Sequence, residues 1–320
     1  MNSMQAIHDF KNLLSKVQES SVMDFLGWIR NNIEDVYEEA EERSRQNSDI
    51  ILDTIREEMR NSLPTNAISP SEHIITPVAG PNSDCDPTTT VHVDAFLFND
   101  DVIDNLCDDG KMSRNYCQQC GSKEISPLTF ITHSASVKQI KYMFRHLLPD
   151  LRGKAVLDVG SRTGAVLYGA YLFSGASKIV GVELDKNFCE LQQKMVDKYK
   201  MVDRIQIVHQ NVMNYLQFLQ AFDVIILNNV FEFFMDVQSQ RKVWQSLYEY
   251  MKKPGMMLIT IPSVEESLEN LQTNINLSTW LKEVDASEVC KQANILMYGQ
   301  EDPDDKDLVS IHLYEVIPRT

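Results

Sequence analysis

The stretch "KAVLDVGSRTGAV", residues 154–166, runs an apolar strand into a turn bracketed by glycines and on into a helix. Asp158, Gly160 and Gly164 stand in a D-x-G-x-x-x-G arrangement. Glycine lets the chain turn sharply at a strand end and lets a ligand come close to the backbone. The following helix then aims its free N–H groups at that ligand. Arg162, however, occupies a place where a small residue is expected. Alone, the stretch has three readings: a working cofactor loop, a degenerate one, or a plain strand-to-helix connection.

Outward from this turn the pattern alternates. Apolar runs at 154–159, 178–184, 204–209, 222–228 and 255–261 read as strands, with helical segments near 164–174, 186–200, 212–220 and 236–252 between them. Strands separated by helices imply a parallel sheet covered on both faces. Two further strands are expected at 293–298 and 308–317, joined by the loop-like "GQEDPDDKD", which suggests an antiparallel hairpin at one edge. The second strand, "KIVGVELD", carries Glu183 at its tip, 25 positions beyond Asp158. A carboxylate there can hold the paired hydroxyls of a ribose. Its simpler use, capping the next helix, is better served by Asp185.

With these residues in place, 136–317 resembles the class I S-adenosylmethionine-dependent methyltransferases. The resemblance implies an α/β fold: a seven-strand, mostly parallel sheet with an antiparallel C-terminal hairpin, helices on both faces, and here an N-terminal helical extension. It implies that Asp158, Gly160, Ser161 and Gly164 hold the amino-acid part of S-adenosyl-L-methionine, that Glu183 holds its ribose, and that Asn211 faces the adenine. It also implies that the end of the fourth strand, "LNNVFEFF", faces the methyl acceptor, with Asn228, Asn229 and Phe231 in catalytic roles and Asn228 also near the cofactor. Asn228-Asn229-Val230-Phe231 is similar to the acceptor turn of amino-methyltransferases and to the Asn-Asn of the seven-strand histone lysine methyltransferases. Val230-Phe231-Glu232-Phe233 is similar instead to a small-molecule methyltransferase pattern. Arg162 for a glycine and Asn211 for the commoner aspartate depart from the family. They leave room for a catalytically inactive partner subunit. His209, at the end of the third strand, reads as a core or edge histidine, and Ser263 with Glu266 as a helix-capping box.

The chain before the sheet divides by texture. Residues 1–62 read as helical, with Val22, Phe25, Leu26, Ile29, Ile33, Val36 and Tyr37 at helical spacing. Residues 63–90, rich in proline and small polar residues, read as a linker or long loop. Residues 91–135 form a cysteine-bearing segment, and 136–320 the main domain. Ser136 can cap a helix that Pro149 helps to end. Cys117 and Cys120 form a C-x-x-C, and with Cys107 and His133 they would complete a Cys3His set for structural zinc. The same residues can be unmetallated cysteines or a redox pair. His133 has a competing reading as a wall of the cofactor pocket, together with Thr132 and Ser134.

Composition narrows the partners. The net charge is −16, with 46 acids against 30 bases, which disfavours extended nucleic-acid binding and suits a basic protein partner. No run approaches the roughly 18 apolar residues of a membrane span. The first residues, "MNSMQAIHDFKNLL", lack the pattern of a secretory signal, so a cytoplasmic or nuclear protein is expected. A protein amine is the expected acceptor, with a small molecule second and RNA third.

Overall fold

The computed structural model describes residues 3–77, 82–83, 85–86, 88–118, 124–299 and 305–318. It divides into two units, Met1–Ile51 and Leu52–Thr320.

The first unit is helical. Helix α1 (Ser3–Leu14) carries Met4, Ile7, Phe10 and Leu13 at three-residue spacing. A short turn, Glu19–Ser21, leads into α2 (Val22–Arg60), 39 residues long. Ile51, Ile55 and Met59 belong to the last part of α2. Pairs one turn apart, Glu39–Arg43 at 3.4 Å and Glu41–Arg45 at 3.3 Å, decorate its exposed acidic stretch. Each such pair contributes only about 0.3–0.5 kcal/mol.

In the second unit, Leu52, Ile55 and Met59 from the end of α2 are fully buried. Strand β1 (Thr90–His92) pairs in parallel with β4 (Thr129–Ile131), and β2 (Asn115–Cys117) pairs antiparallel with β3 (Ile125–Pro127). Helix α3 (Asp100–Asp108) lies between them in sequence. Helix α4 (Val137–Tyr142) starts at Ser136, whose side chain caps Gln139 N in a capping box, and continues as a wider turn, Met143–Leu147.

The main sheet has seven strands: β5 (Ala155–Val159), β6 (Lys178–Glu183), β7 (Ile205–His209), β8 (Val224–Asn228), β9 (Met257–Ile261), β10 (Leu281–Glu283) and β11 (His312–Val316). Their order is β10-β11-β9-β8-β5-β6-β7. The five strands β5 to β9 run parallel, and β11 lies antiparallel to both β9 and β10. The order turns back at β5, with β6 on one side and β8 on the other, and a crevice opens at that point in open α/β sheets. Helices α5 (Ala165–Phe173), α6 (Lys186–Lys198) and α7 (Val237–Tyr250) connect the strands. Asp185 caps α6 and Asp236 caps α7. Ser263 and Glu266 form the expected capping box of α8 (Val264–Glu269).

The C-terminal edge differs from the sequence reading in one element. Residues 293–298 belong to helix α9 (Ser287–Tyr298). Cys290, Ala293 and Asn294 are its buried face, while Ile295, Leu296 and Tyr298 are exposed. A short apolar run does not distinguish strand from helix by period alone. The seventh strand is the three-residue β10, too short to announce itself. Residues 306–309 form the brief α10 (Lys306–Val309) before β11 begins.

Two apolar cores cover the sheet. One gathers Leu52, Ile55, Phe96, Ile140, Phe144, Leu167 and Tyr168, and the other gathers Leu157, Phe231, Trp244, Leu258 and Trp280. Among the described residues no helix is long and apolar enough to cross a membrane.

Candidate active site

The turn after β5 takes three left-handed residues in five: Gly160 at φ +72°, Arg162 at +45° and Gly164 at +84°. The middle position therefore keeps the backbone that glycine would adopt, although its side chain is arginine. A left-handed non-glycine residue costs about 1–2 kcal/mol. The side chain offsets that cost. Its guanidinium is buried and donates from Nε to Glu72 Oε1 at 2.9 Å, from Nη2 to Glu72 Oε2 at 3.1 Å, and from Nη1 to Asp94 Oδ2 at 3.0 Å. Nη2 also reaches the carbonyl of Ala67 at 2.9 Å. Arg162 thus fastens residues 66–72 and Asp94 against the turn.

The glycines are used sterically. A Cβ on Gly160 would lie 2.2 Å from Val230 Cγ2, and one on Gly164 would lie 2.7 Å from the Tyr168 hydroxyl. Ser161 Oγ donates to Gln192 Oε1 at 2.9 Å, and Gln192 Nε2 donates back to the carbonyl of Arg162 at 2.7 Å, so Ser161 braces the loop.

Glu183 ends β6 with both carboxylate oxygens engaged. Oε2 accepts from Arg162 N at 2.7 Å and Oε1 accepts from Asp185 N at 2.8 Å. Burial raises its proton affinity and these backbone bonds oppose the rise, with a net upward shift. Asp158 lies deeper. Burial first, and then the charge of Glu183, pushes its carboxyl up to about 8. It therefore holds its proton at neutral pH.

A cavity of about 500 Å³ opens at these strand ends. It brings together Gly160, Glu183, Asn211, Asn228, Asn229 and Phe231, all expected from the sequence. Asp158, Ser161 and Gly164 are not part of its lining and support the turn from behind. Asn211 caps the turn Val212–Asn214 by accepting from Met213 N at 2.9 Å. Asn229 adopts φ +48°, donates its N–H to the carbonyl of Ile261 at 2.6 Å, and donates Nδ2 to Thr132 O at 3.3 Å. Phe231 is buried with its ring edge-on to Trp244. His209 sits in the cavity wall with Nε2 3.0 Å from the carbonyl of Leu184.

Residues 150–305 match the family profile described as a methyltransferase domain. The matched region spans the glycine turn, the Glu183 tip and the sheet through α9. It has the class I methyltransferase fold. A search of curated proteins gave no match. Among solved structures, the chain is similar to an RNA methyltransferase from Salinibacter ruber in complex with S-adenosyl-L-homocysteine, with 15% identity, 57% of this chain and 91% of that chain covered, and a TM-score of 0.35. It is also similar to the C-terminal domain of precorrin-6Y C5,15-methyltransferase from Rhodobacter capsulatus, with 19% identity, coverage of 43% and 70%, and a TM-score of 0.30. A methyltransferase from Geobacter sulfurreducens shows 10% identity, coverage of 57% and 75%, and a TM-score of 0.34.

Sequence reasoning missed a third wall of the cavity. Ser71, Glu72 and His73 line it, although they lie in the stretch read as a linker. The segment is tied down: Ser71 Oγ donates to Asp185 Oδ2 at 2.5 Å, Asn187 Nδ2 donates to Ser69 Oγ at 3.0 Å, and Ile75 N donates to the carbonyl of Phe233 at 2.9 Å. No local signal marks this segment, because its contacts to Arg162, Asp185 and Asn187 are all long-range.

The zinc expectation is corrected. His133 does not join the cysteines; it lines the cavity and sits 3.0 Å from His92, Nε2 to Nδ1, between the rings of Phe233 and Phe234. Burial, then the charge of Arg162, then His92, pushes it down to about 3, so the ring is neutral. Cys107 packs against the first core, and Cys117 is exposed on β2. Cys120 lies outside the described residues. Among the described residues no group of three or more His, Cys, Asp and Glu side chains is placed to hold a metal ion.

Proposed function

We propose that this chain is an S-adenosylmethionine-dependent methyltransferase acting on an amine nitrogen. The observation that carries the reading is the meeting of Gly160, Glu183 and Asn211 around one cavity at the turning point of a parallel sheet. The residues suit the donor's chemistry. Glu183 is positioned at the strand tip to receive a ribose diol, and Asn211 offers an amide toward an adenine. When bound, the cofactor supplies an electrophilic methyl group. The protein's part is to align the nucleophile with that carbon and to exclude water, so positioning carries most of the rate.

The reading as an inactive partner subunit rested on Arg162 and Asn211. Arg162 keeps the left-handed backbone of a glycine, and Asn211 stays in the cavity wall, so neither removes the site. For the acceptor, the acidic charge and the Asn228-Asn229-Val230-Phe231 segment support a protein amine. A second reading, a small molecule, is favoured by a walled chamber beside the cavity. We place the activity in the cytoplasm or nucleus.

Calorimetric titration with S-adenosylmethionine and S-adenosylhomocysteine tests the reading. Micromolar binding of both is expected. No heat of binding up to millimolar concentrations overturns it.

A further inference from the structure

Next to the cofactor cavity lies a chamber of about 760 Å³. The two share Asn229, Val230, Phe231 and Met235, so one stretch of chain after β8 walls both. The chamber's walls are largely apolar, with Leu227, Phe231, Met235, Trp244, Ile261 and Leu271 contributing. Its charges have one sign. Glu232, Asp236 and Glu266 line it, and among the described residues none of its lining side chains is Lys, Arg or His.

The three acids are not equivalent. Asp236 accepts from Gln238 N, Ser239 N and Ser239 Oγ at the start of α7, and Glu266 accepts from Ser263 N and Oγ at the start of α8. Both are held in capping. Glu232 belongs to neither helix and accepts from Asn82 Nδ2 at 3.1 Å. Burial and the neighbouring Glu266 raise its proton affinity, the state of a carboxylate short of positive charge.

An independent feature points to a ligand. Thr260, at the end of β9, is 2% exposed, and its hydroxyl meets no hydrogen-bond partner. Side chains alternate along a strand. Thr260 therefore shares a face with Leu258, which belongs to the same core as Phe231 and Trp244, and this is the side on which the chamber lies. A buried hydroxyl without a partner needs an explanation, and a polar group entering the chamber supplies one.

We propose that the chamber takes the methyl acceptor, a small organic amine with an apolar or aromatic body, whose nitrogen is held by Glu232 with Thr260 as a further hydrogen-bonding group. This takes the second of the two acceptor readings, the small molecule, and rests on the methyltransferase reading; a protein acceptor is a competing outcome of the test. The amine enters as an ammonium and gives one proton to the Glu232 carboxylate. Its freed lone pair forms the new N–C bond to the donor's methyl carbon, while the C–S bond breaks and leaves its electron pair on sulfur. The product leaves as an ammonium, and Glu232 releases its proton to solvent. A neutral or anionic molecule of the same shape would leave the carboxylates without a counter-charge.

The test uses the full chain, methyl-labelled S-adenosylmethionine, and mixed bacterial and animal-cell extracts. After reaction the material is split into protein, RNA, and small molecules that are retained or not retained by cation exchange. Label in the retained small-molecule fraction is expected. Glu232→Gln is expected to lower that labelling at least tenfold and Thr260→Val several-fold, with cofactor affinity held within twofold. Binding of the cofactor with label in any other fraction, or in none, overturns the proposal, as does unchanged labelling by Glu232→Gln. Absence of cofactor binding to the unaltered chain overturns the methyltransferase reading itself, and calorimetry distinguishes that failure from the others.

Discussion

Arg162 and Glu72 are 90 positions apart and meet through two hydrogen bonds, Nε to Oε1 at 2.9 Å and Nη2 to Oε2 at 3.1 Å, with both side chains less than a tenth exposed. This paired geometry suits a guanidinium and not an ammonium. Asp94, fully buried, takes the third contact. Removing one partner of a buried ion pair costs about 3–5 kcal/mol, because the remaining charge is left uncompensated. Glycine at 162 recovers roughly 1 kcal/mol of backbone cost at φ +45°. Arg162→Gly is therefore expected to lower stability by about 3 kcal/mol in denaturant unfolding. Adding Glu72→Gln and Asp94→Asn should restore part of that loss. A change below about 1 kcal/mol for the single variant would show the cluster to be a bystander.

Gly160→Ala tests the close approach of the two strand ends. The added methyl group would lie 2.2 Å from Val230 Cγ2, at a backbone φ of +72°. Either the turn or Val230 must move, and Val230 walls both cavities. Cofactor affinity should fall at least tenfold, with about 1–3 kcal/mol lost from overpacking and strain. Gly110→Ala, also left-handed but with nothing within 4 Å, should lose stability through its backbone alone and leave the affinity unchanged.

Much of this architecture was legible in the sequence because its signals are local. The parallel strands β5, β6, β8 and β9 are buried on both faces and read as apolar runs, and Ser136, Asp185 and Ser263 cap helices where their spacing predicts. The misses have physical reasons. Residues 293–298 are apolar enough for a strand, yet only one side of them is buried, and that burial comes from packing that no local pattern encodes. Residues 69–73 look like a linker because they have no periodicity; long-range contacts to Arg162, Asp185 and Asn187 hold them in place. His133 and Cys117 have suggestive spacing, but the tertiary fold gives His133 to His92 instead.

Asp158 gives the stability of the protein a pH signature. Its folded pKa is raised from 3.8 to about 8, so the folded state binds the extra proton and stability is lost as pH rises from about 4 to about 8. His133 works in the opposite sense, lowered from 6.5 to about 3, so its contribution is lost as pH falls through that lower window. Above pH 6.5 the histidine contribution is constant and the carboxyl pair of Asp158 and Glu183 governs the slope. Stability should fall by about 2 kcal/mol between roughly pH 6.5 and 8, at about 1.4 kcal/mol per unit for one proton. Asp158→Asn, which mimics the protonated form, should flatten most of that slope in chemical denaturation at several pH values. An unchanged slope in the variant would assign the effect elsewhere.

Glu183 offers the sharpest test of how the cavity holds its ligand. Its two oxygens already accept from Arg162 N and Asp185 N, so the carboxylate is oriented before any ligand arrives. A ribose diol would add its hydrogen bonds to the remaining lone pairs. Glu183→Gln replaces one acceptor oxygen with an NH2 group, which faces a backbone N–H or the diol with donor against donor. Affinity for S-adenosylhomocysteine should fall about 10- to 100-fold, the cost of one or two charge-assisted hydrogen bonds. The unaltered protein should prefer S-adenosylhomocysteine over its 2′,3′-dideoxy analogue by at least tenfold, and the variant should bind the two about equally. If the variant keeps the full preference, the diol is held by another group, and Glu183 serves only to lock the Arg162 turn.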